Sequence, residues 1–167
     1  MLKQEAFKIL FVCTGNICRS PTAEGVFLAK IRDAGLSAHV KADSAGTHGF
    51  HAGECPDARS IRAAKKRGYD ISEQRARQIT KEDFNNFDLI LAMDWDNHAL
   101  LHQMSARQYH HKIKLLMSFA TEHESAVVPD PYYGGPDGFE MVLDYVEDGA
   151  TNLVDHVRRR LAQKAAA

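Results

Sequence analysis

The run FKILFVC (7–13) carries a single charge, Lys8, and runs straight into Gly15-Asn16 and then Ser20-Pro21. A stretch this apolar, without alternation, reads as a strand buried on both faces. Pro21, with its fixed φ and missing N–H, suits the first turn of a helix, which should run to about Gly35. A buried strand that feeds a helix within eight residues opens a βα unit, and the rest of the chain continues the pattern. AHVKADSAG reads as a second strand, DARSIRAAKKRG as a helix with an Asp start and a Gly stop, and KEDF as a short helix. FDLILAM is a third strand, WDNHALLHQM a helix, IKLLM a fourth strand, and the segment from about Gly138 to Arg160 a long closing helix. Such alternation predicts an α/β fold: a four-stranded parallel sheet with right-handed crossovers and helices on both faces. Ligands of such sheets bind beyond the carboxyl ends of the strands. Cys13, the turn after Ala45, Asp94 and the loop from about Ala120 to Asp137 should therefore share one rim.

Bulk properties narrow the class. The 167 residues suit one domain, 1–167, with no internal repeat or composition break. A net charge of −1 with mixed signs predicts no nucleic-acid partner. No stretch is long enough for a membrane span, and the N-terminus does not read as a signal peptide, which points to the cytoplasm. Three cysteines, Cys13, Cys18 and Cys55, form no paired framework, so free thiols are expected. The Ala-rich end AQKAAA reads as a frayed helix terminus or an appended remnant.

The loop VCTGNICRSPTAE holds the chemistry. Unpaired N–H groups and the helix dipole at its end favour an anion. Gly15 and Asn16 tolerate the left-handed backbone that curls such a loop and aims successive N–H groups inward. Arg19 supplies a two-pronged contact to a tetrahedral oxyanion. The same positive surroundings favour the thiolate of Cys13, and Ser20 is placed to donate to that sulfur. A nucleophile on the floor of a phosphate cradle implies a covalent phosphocysteine. Asp130, ahead of Pro131, sits in a stiffened extended segment followed by two tyrosines and two glycines. As an acid near neutral pH it needs partial burial beside the phosphate dianion to keep its proton. Taken alone, a C-x5-R spacing equally describes a buried strand-end cysteine with a surface arginine, and Asp-Pro an ordinary turn. It is the combination that favours the site.

The loop resembles the signature of the low-molecular-weight protein tyrosine phosphatases. The likeness continues through DSAGT (43–47), ARQITKEDF (76–84), FDLILAMD (87–94) and DPYYGG (130–135), and so covers nearly the whole chain. The resemblance implies a flavodoxin-like four-stranded sheet, no metal or other cofactor, a phosphotyrosine-containing protein as substrate, and two-step hydrolysis. Carried onto this sequence, Cys13 resembles the nucleophile, Arg19 the phosphate clamp, Ser20 the thiolate partner and Asp130 the general acid. Thr14, Gly15, Asn16, Ile17 and Cys18 complete the phosphate-binding lining, and Tyr132 and Tyr133 resemble the aromatic wall. Asn16 looks like the residue that holds the loop's strained shape, assisted by Ser44.

Two positions depart from the pattern. Phe50 stands where many relatives carry Trp or Tyr, so an aromatic wall is kept but substrate preference does not transfer. Gln74 stands where mammalian relatives place a histidine bonded to the loop asparagine; Gln donates such a bond but does not titrate. Elsewhere, His48, His51 and Cys55 lack the compact spacing of a metal site and read as loop residues. His110-His111 and the group Lys65, Lys66, Arg67 read as solvated surface. Asp94 serves either the rim or the cap of the helix that follows. Among rival functions, an arsenate reductase needs further cysteines to relay oxidation, and none follows Cys55. Phosphoarginine phosphatases resemble this chain except for Thr at the position of Ile17, whose apolar branch suits a tyrosine ring. A non-catalytic phosphopeptide-binding module is hard to reconcile with Cys13, Arg19, Ser20 and Asp130 all in place. The expected protein is a monomeric tyrosine phosphatase in which Cys13 and Cys18 approach closely enough to pair on oxidation.

Overall fold

The computed structural model describes residues 5–166. Four parallel strands, β1 (Phe7–Cys13), β2 (Val40–Gly46), β3 (Leu89–Ala92) and β4 (Ile113–Leu115), stand in the order β2-β1-β3-β4. The helices are α1 (Arg19–Asp33), α2 (Ala58–Lys66), α3 (Lys81–Asn86), α4 (Trp95–Met104) and α5 (Pro136–Ala166). β1 is unalternating because both its faces are covered. Phe7, Ile9, Phe11 and Cys13 belong to one core with α1, α2 and α5, while Leu10 and Val12 belong to a second with Phe84 and Leu101 from the α3/α4 side. The flavodoxin-like layering expected from the sequence is the one observed.

Several boundaries moved, with FDLILAM keeping only Leu89–Ala92 as strand. IKLLM keeps only three residues as strand, and Leu116–Phe119 winds into a 3-10 turn. The first helix begins at Arg19 rather than Pro21, which puts the proline third in the helix, still among positions whose N–H has no internal acceptor. The closing helix runs from Pro136 through Ala166, so most of AQKAAA continues it. Arg67 leaves the solvated face assigned to it: its guanidinium bonds Glu140 (2.6 Å), Asp144 (3.0 Å) and Glu147, tying the end of α2 to α5. α5 also carries Asp148, which is buried and accepts from the N–H groups of Thr121, Glu122 and His123 (2.9–3.0 Å), pinning the start of the rim loop.

Two glycines permit close approaches that shape the rim. Gly46 ends β2 against the first turn of the Cys13 loop, and a Cβ there would lie 2.7 Å from the Thr14 carbonyl and 2.8 Å from that of His48. Gly25 on α1 lets that helix press onto the buried Ile71, whose Cγ2 occupies the space a side chain would need.

Candidate active site

β1 ends at Cys13, and the chain then turns through a loop into α1. Asn16 is the residue in this loop with the left-handed backbone (φ 59°), and it is buried. A non-glycine residue there is strained, and its surroundings hold it. Its Nδ2 donates to Ser20 Oγ (2.8 Å) and Ser44 Oγ (2.9 Å), and its Oδ1 accepts from the Arg77 N–H (3.0 Å). Gly15, expected to share the left-handed backbone, does not adopt it. Its small size instead admits the His51 ring, whose Cδ2 would lie 3.0 Å from a Cβ at that position.

The Asn16 network corrects the expectation for Gln74. Gln74 does not reach Asn16: its Nε2 donates to the Pro21 carbonyl (3.0 Å) and its Oε1 accepts from Ser44 Oγ (3.5 Å). The donor to Asn16 Oδ1 is backbone because the segment around Arg77 runs along the end of β2, with Gly46 N–H on the Arg77 carbonyl and Ile79 N–H on the Gly46 carbonyl. Arg77 is anchored in turn by Asp43 and Asp83. Glu24 lies beside this network, and burial pushes its carboxyl up to about 7, against the lowering effect of Ser44 and Arg77.

The sulfur of Cys13 sits 3.0 Å from Ser20 Oγ and accepts from the Asn16 N–H at 3.3 Å. Ser20 receives Asn16 Nδ2, and its own proton can go to the sulfur or to the Ala45 carbonyl at 3.5 Å. α1 begins at Arg19 with no acidic residue in its first turn and no side-chain cap, which leaves its first N–H groups without an internal acceptor. Arg19 is buried, yet its guanidinium is held above its ordinary value: burial opposes the charge, but Cys13, Asp94 and Asp130 outweigh it. Nη1 is fixed by Asp94 Oδ2 (2.6 Å) and the Val128 carbonyl (3.1 Å), while Nη2 faces Asp130 Oδ2 at 3.7 Å. Asp94 is thus both rim and cap, since its Oδ1 accepts from the Asn97 N–H (2.8 Å) at the start of α4. Asn97, which the sequence reading did not single out, is buried and donates from Nδ2 to Thr14 Oγ1 (3.1 Å).

Asp130 arrives on the rim loop because the Val128 N–H bonds the Met93 carbonyl (2.7 Å) at the end of β3. Its Oδ1 accepts from the Tyr132 N–H (3.0 Å), an Asx turn that directs Oδ2 toward Arg19. The carboxylate is 52% exposed, so the partial burial expected of it is modest. Cys13, Ile17, Arg19, Asp130, Tyr132 and Tyr133 line one cavity of about 430 Å³, together with Thr14, Gly15, Cys18, Phe50 and His51. Phe50 is exposed and stacked on His48 (4.9 Å), and Tyr133 stands edge-on to Tyr132. His51, read from the sequence as a loop residue, is therefore part of the cleft, with Nδ1 on Glu54 (2.5 Å). Cys18 is buried, and burial pushes its thiol up to about 12, so it is a neutral thiol beside the cradle. Among the described residues no cluster of His, Cys, Asp and Glu is arranged to hold a metal ion.

A family model described as low molecular weight phosphotyrosine protein phosphatase matches residues 8–164, and the chain belongs to that family. A Synechocystis relative is 51% identical over 155 residues, covering 92% of this chain and 98% of its own. The crystal structure of a protein tyrosine phosphatase from Entamoeba histolytica superposes with a TM-score of 0.90 at 42% identity, covering 92% of this chain and 98% of that one. A Drosophila arginine phosphatase is also similar, with a TM-score of 0.84 at 32% identity, covering 90% and 98%. The backbone is thus shared across both substrate names, and side chains must separate them.

Proposed function

We propose that this protein hydrolyses phosphotyrosine in proteins, and simple aryl phosphates, through a phosphocysteine intermediate on Cys13. The observation that carries the reading is one cavity holding a serine-bonded cysteine sulfur, a clamped arginine and a half-exposed aspartate beneath an aromatic wall. The Cys13 thiolate attacks phosphorus, and the phosphoryl oxygens take the loop N–H groups and the free edge of Arg19. As the P–O bond breaks, Asp130 gives its proton to the departing phenolate. The same carboxylate, now ionised, removes a proton from the water that attacks phosphocysteine, and sulfur leaves as a thiolate stabilised by the Ser20 hydroxyl. Because Nη1 of Arg19 is already committed to Asp94, the guanidinium plane is set before substrate arrives and little reorganisation is needed.

Ile17 in the cavity wall presents an apolar face that suits a tyrosine ring over a guanidinium. Peroxide converts the Cys13 thiolate to a sulfenic acid, and the Cys18 thiol condenses with it to a disulfide and water, which reductant reverses. We take the chain to be one phosphatase domain over 1–167, monomeric, without a nucleic-acid partner, and at work in the cytoplasm, where free thiols persist. The deciding experiment is a panel of phosphotyrosine, phosphoserine and phosphoarginine peptides, with Cys13→Ser as control. Phosphotyrosine should dominate, and Cys13→Ser should bind phosphate analogues without turnover. A dominant phosphoarginine rate, or retained single-turnover hydrolysis in Cys13→Ser, overturns it.

A further inference from the structure

The aromatic wall of the cleft has a second side. The Arg59 guanidinium lies over the Tyr132 ring of that wall (5.4 Å) and over the Phe139 ring (4.7 Å), and Arg59 and Phe139 line a neighbouring cavity of about 450 Å³. Three cations of α2 line it, Arg59, Arg62 and Lys66, and their spacing places them on one face of the helix. Their commitments differ. Arg59 is held by Asp57 through Nε (3.0 Å) and Nη2 (2.9 Å). Arg62 and Lys66 are exposed, and neither makes an ion pair among the described residues. On the opposite wall Glu140 is taken by Arg67 (2.6 Å), leaving Asp137 as the remaining carboxylate. Two free cations therefore face one free anion. The loop side is formed by Gly134 and Gly135, and a Cβ at Gly135 would meet nothing within 4 Å, so an incoming chain finds room there.

We propose that this cavity is a docking subsite for acidic residues flanking the phosphotyrosine, with Arg62 and Lys66 receiving their carboxylates. The inference rests on the phosphotyrosine reading and adds a substrate class to it: phosphotyrosine set in an acidic sequence. A substrate chain that leaves the catalytic cavity across Tyr132 meets Arg59 first and the two free cations next. Arg59, already neutralised by Asp57, contributes the flat surface over which the chain passes. Exposed pairs are individually weak, so the preference is moderate and sensitive to salt.

The test compares kcat/KM for phenyl phosphate, a neutral phosphotyrosine peptide, and two peptides carrying Glu on either side of the phosphotyrosine. At low ionic strength one acidic peptide should exceed the neutral one by about fivefold to tenfold, and about 0.5 M salt should remove the difference. Arg62→Glu/Lys66→Glu should abolish the preference without changing phenyl phosphate hydrolysis, and Arg62→Gln/Lys66→Gln should reduce it. Lys65→Glu, on the same helix but outside the cavity, should leave most of it. Equal kcat/KM for acidic and neutral peptides in the wild type refutes the subsite while the phosphatase reading stands. So does a preference that survives the double variants or falls equally with Lys65→Glu. Absence of phenyl phosphate hydrolysis in the wild type brings down both.

Discussion

Asp94 holds Arg19 with one oxygen and caps α4 with the other, and a substitution series separates the two contributions. Asp94→Ser keeps a capping oxygen but does not reach Arg19; Asp94→Asn keeps one accepting oxygen, enough for the cap, and turns a donor amide toward the Arg19 guanidinium; Asp94→Ala loses everything. Stripping one partner from a buried ion pair costs about 3–5 kcal/mol, because the other charge stays behind uncompensated. Arg19 is 3% exposed, but Asp94 is 24% exposed and Arg19 keeps the Val128 carbonyl and the nearby Asp130, so about 2–3 kcal/mol is expected here. A lost cap adds about 1 kcal/mol. Urea unfolding should therefore rank the variants as wild type, then Asn and Ser together (each down about 2–3 kcal/mol), then Ala (about 3–4). Catalysis should follow the hold on Arg19 rather than the cap. Asn, Ser and Ala should each lose about 10²-fold in kcat/KM for phenyl phosphate, with vanadate inhibition weakened in proportion. If Asp94→Ser binds vanadate and turns over like the wild type, Arg19 needs no external hold and the reasoning fails.

Three further expectations follow from the geometry. Asp130→Ala should slow the burst of the first step by about 10²–10⁴-fold for phenyl phosphate but far less for a strongly acidic nitrophenol; a uniform loss across leaving groups means that Asp130 only shapes the cleft. After peroxide treatment, wild type should regain activity with dithiothreitol and Cys18→Ser should not; equal recovery removes Cys18 as the resolving thiol. Glu24, pushed from its ordinary 4.5 up to about 7 by burial, holds more protons folded than unfolded between those values, so stability should fall as pH rises from about 4.5 through 7. The loss is at most about 3 kcal/mol, and Glu24→Gln should flatten the profile and stabilise the protein above pH 7. An unchanged slope in urea midpoints would show that the carboxyl is solvated.

The strands and the phosphate loop were legible because each rests on a local rule. Continuous apolar runs mark a doubly covered sheet, and Cys13, Asn16, Arg19 and Ser20 lie within eight residues of one another. What escaped depends on segments distant in sequence. The third bond to Asn16 comes from a backbone N–H, that of Arg77, and no side-chain identity announces it, while Gln74 bonds Pro21 and Ser44 instead. Asn97 looked like one more polar residue in WDNHALL until β1 and β3 set its amide against Thr14. His51 follows Phe50 in a loop, and its place in the cleft depends on Gly15 making room for its ring. Arg67 follows Lys65 and Lys66 but its guanidinium is turned onto α5, where three carboxylates along one face hold it.

The tight seat of Gly25 against Ile71 carries weight well away from either residue. Arg19 and Ser20 are the first two residues of the same helix, roughly 9 Å up a stiff rod. Replacing Gly25 with Ala satisfies the helix's own preference by about 1 kcal/mol, but the added methyl group has to lever the rod off the buried Ile71. The tilt is delivered at the other end, where the serine hydroxyl meets the sulfur and the guanidinium meets Asp94. The alignment of the reacting groups is therefore gauged by a missing side chain in the middle of α1, and a change that improves the helix taken alone detunes the enzyme.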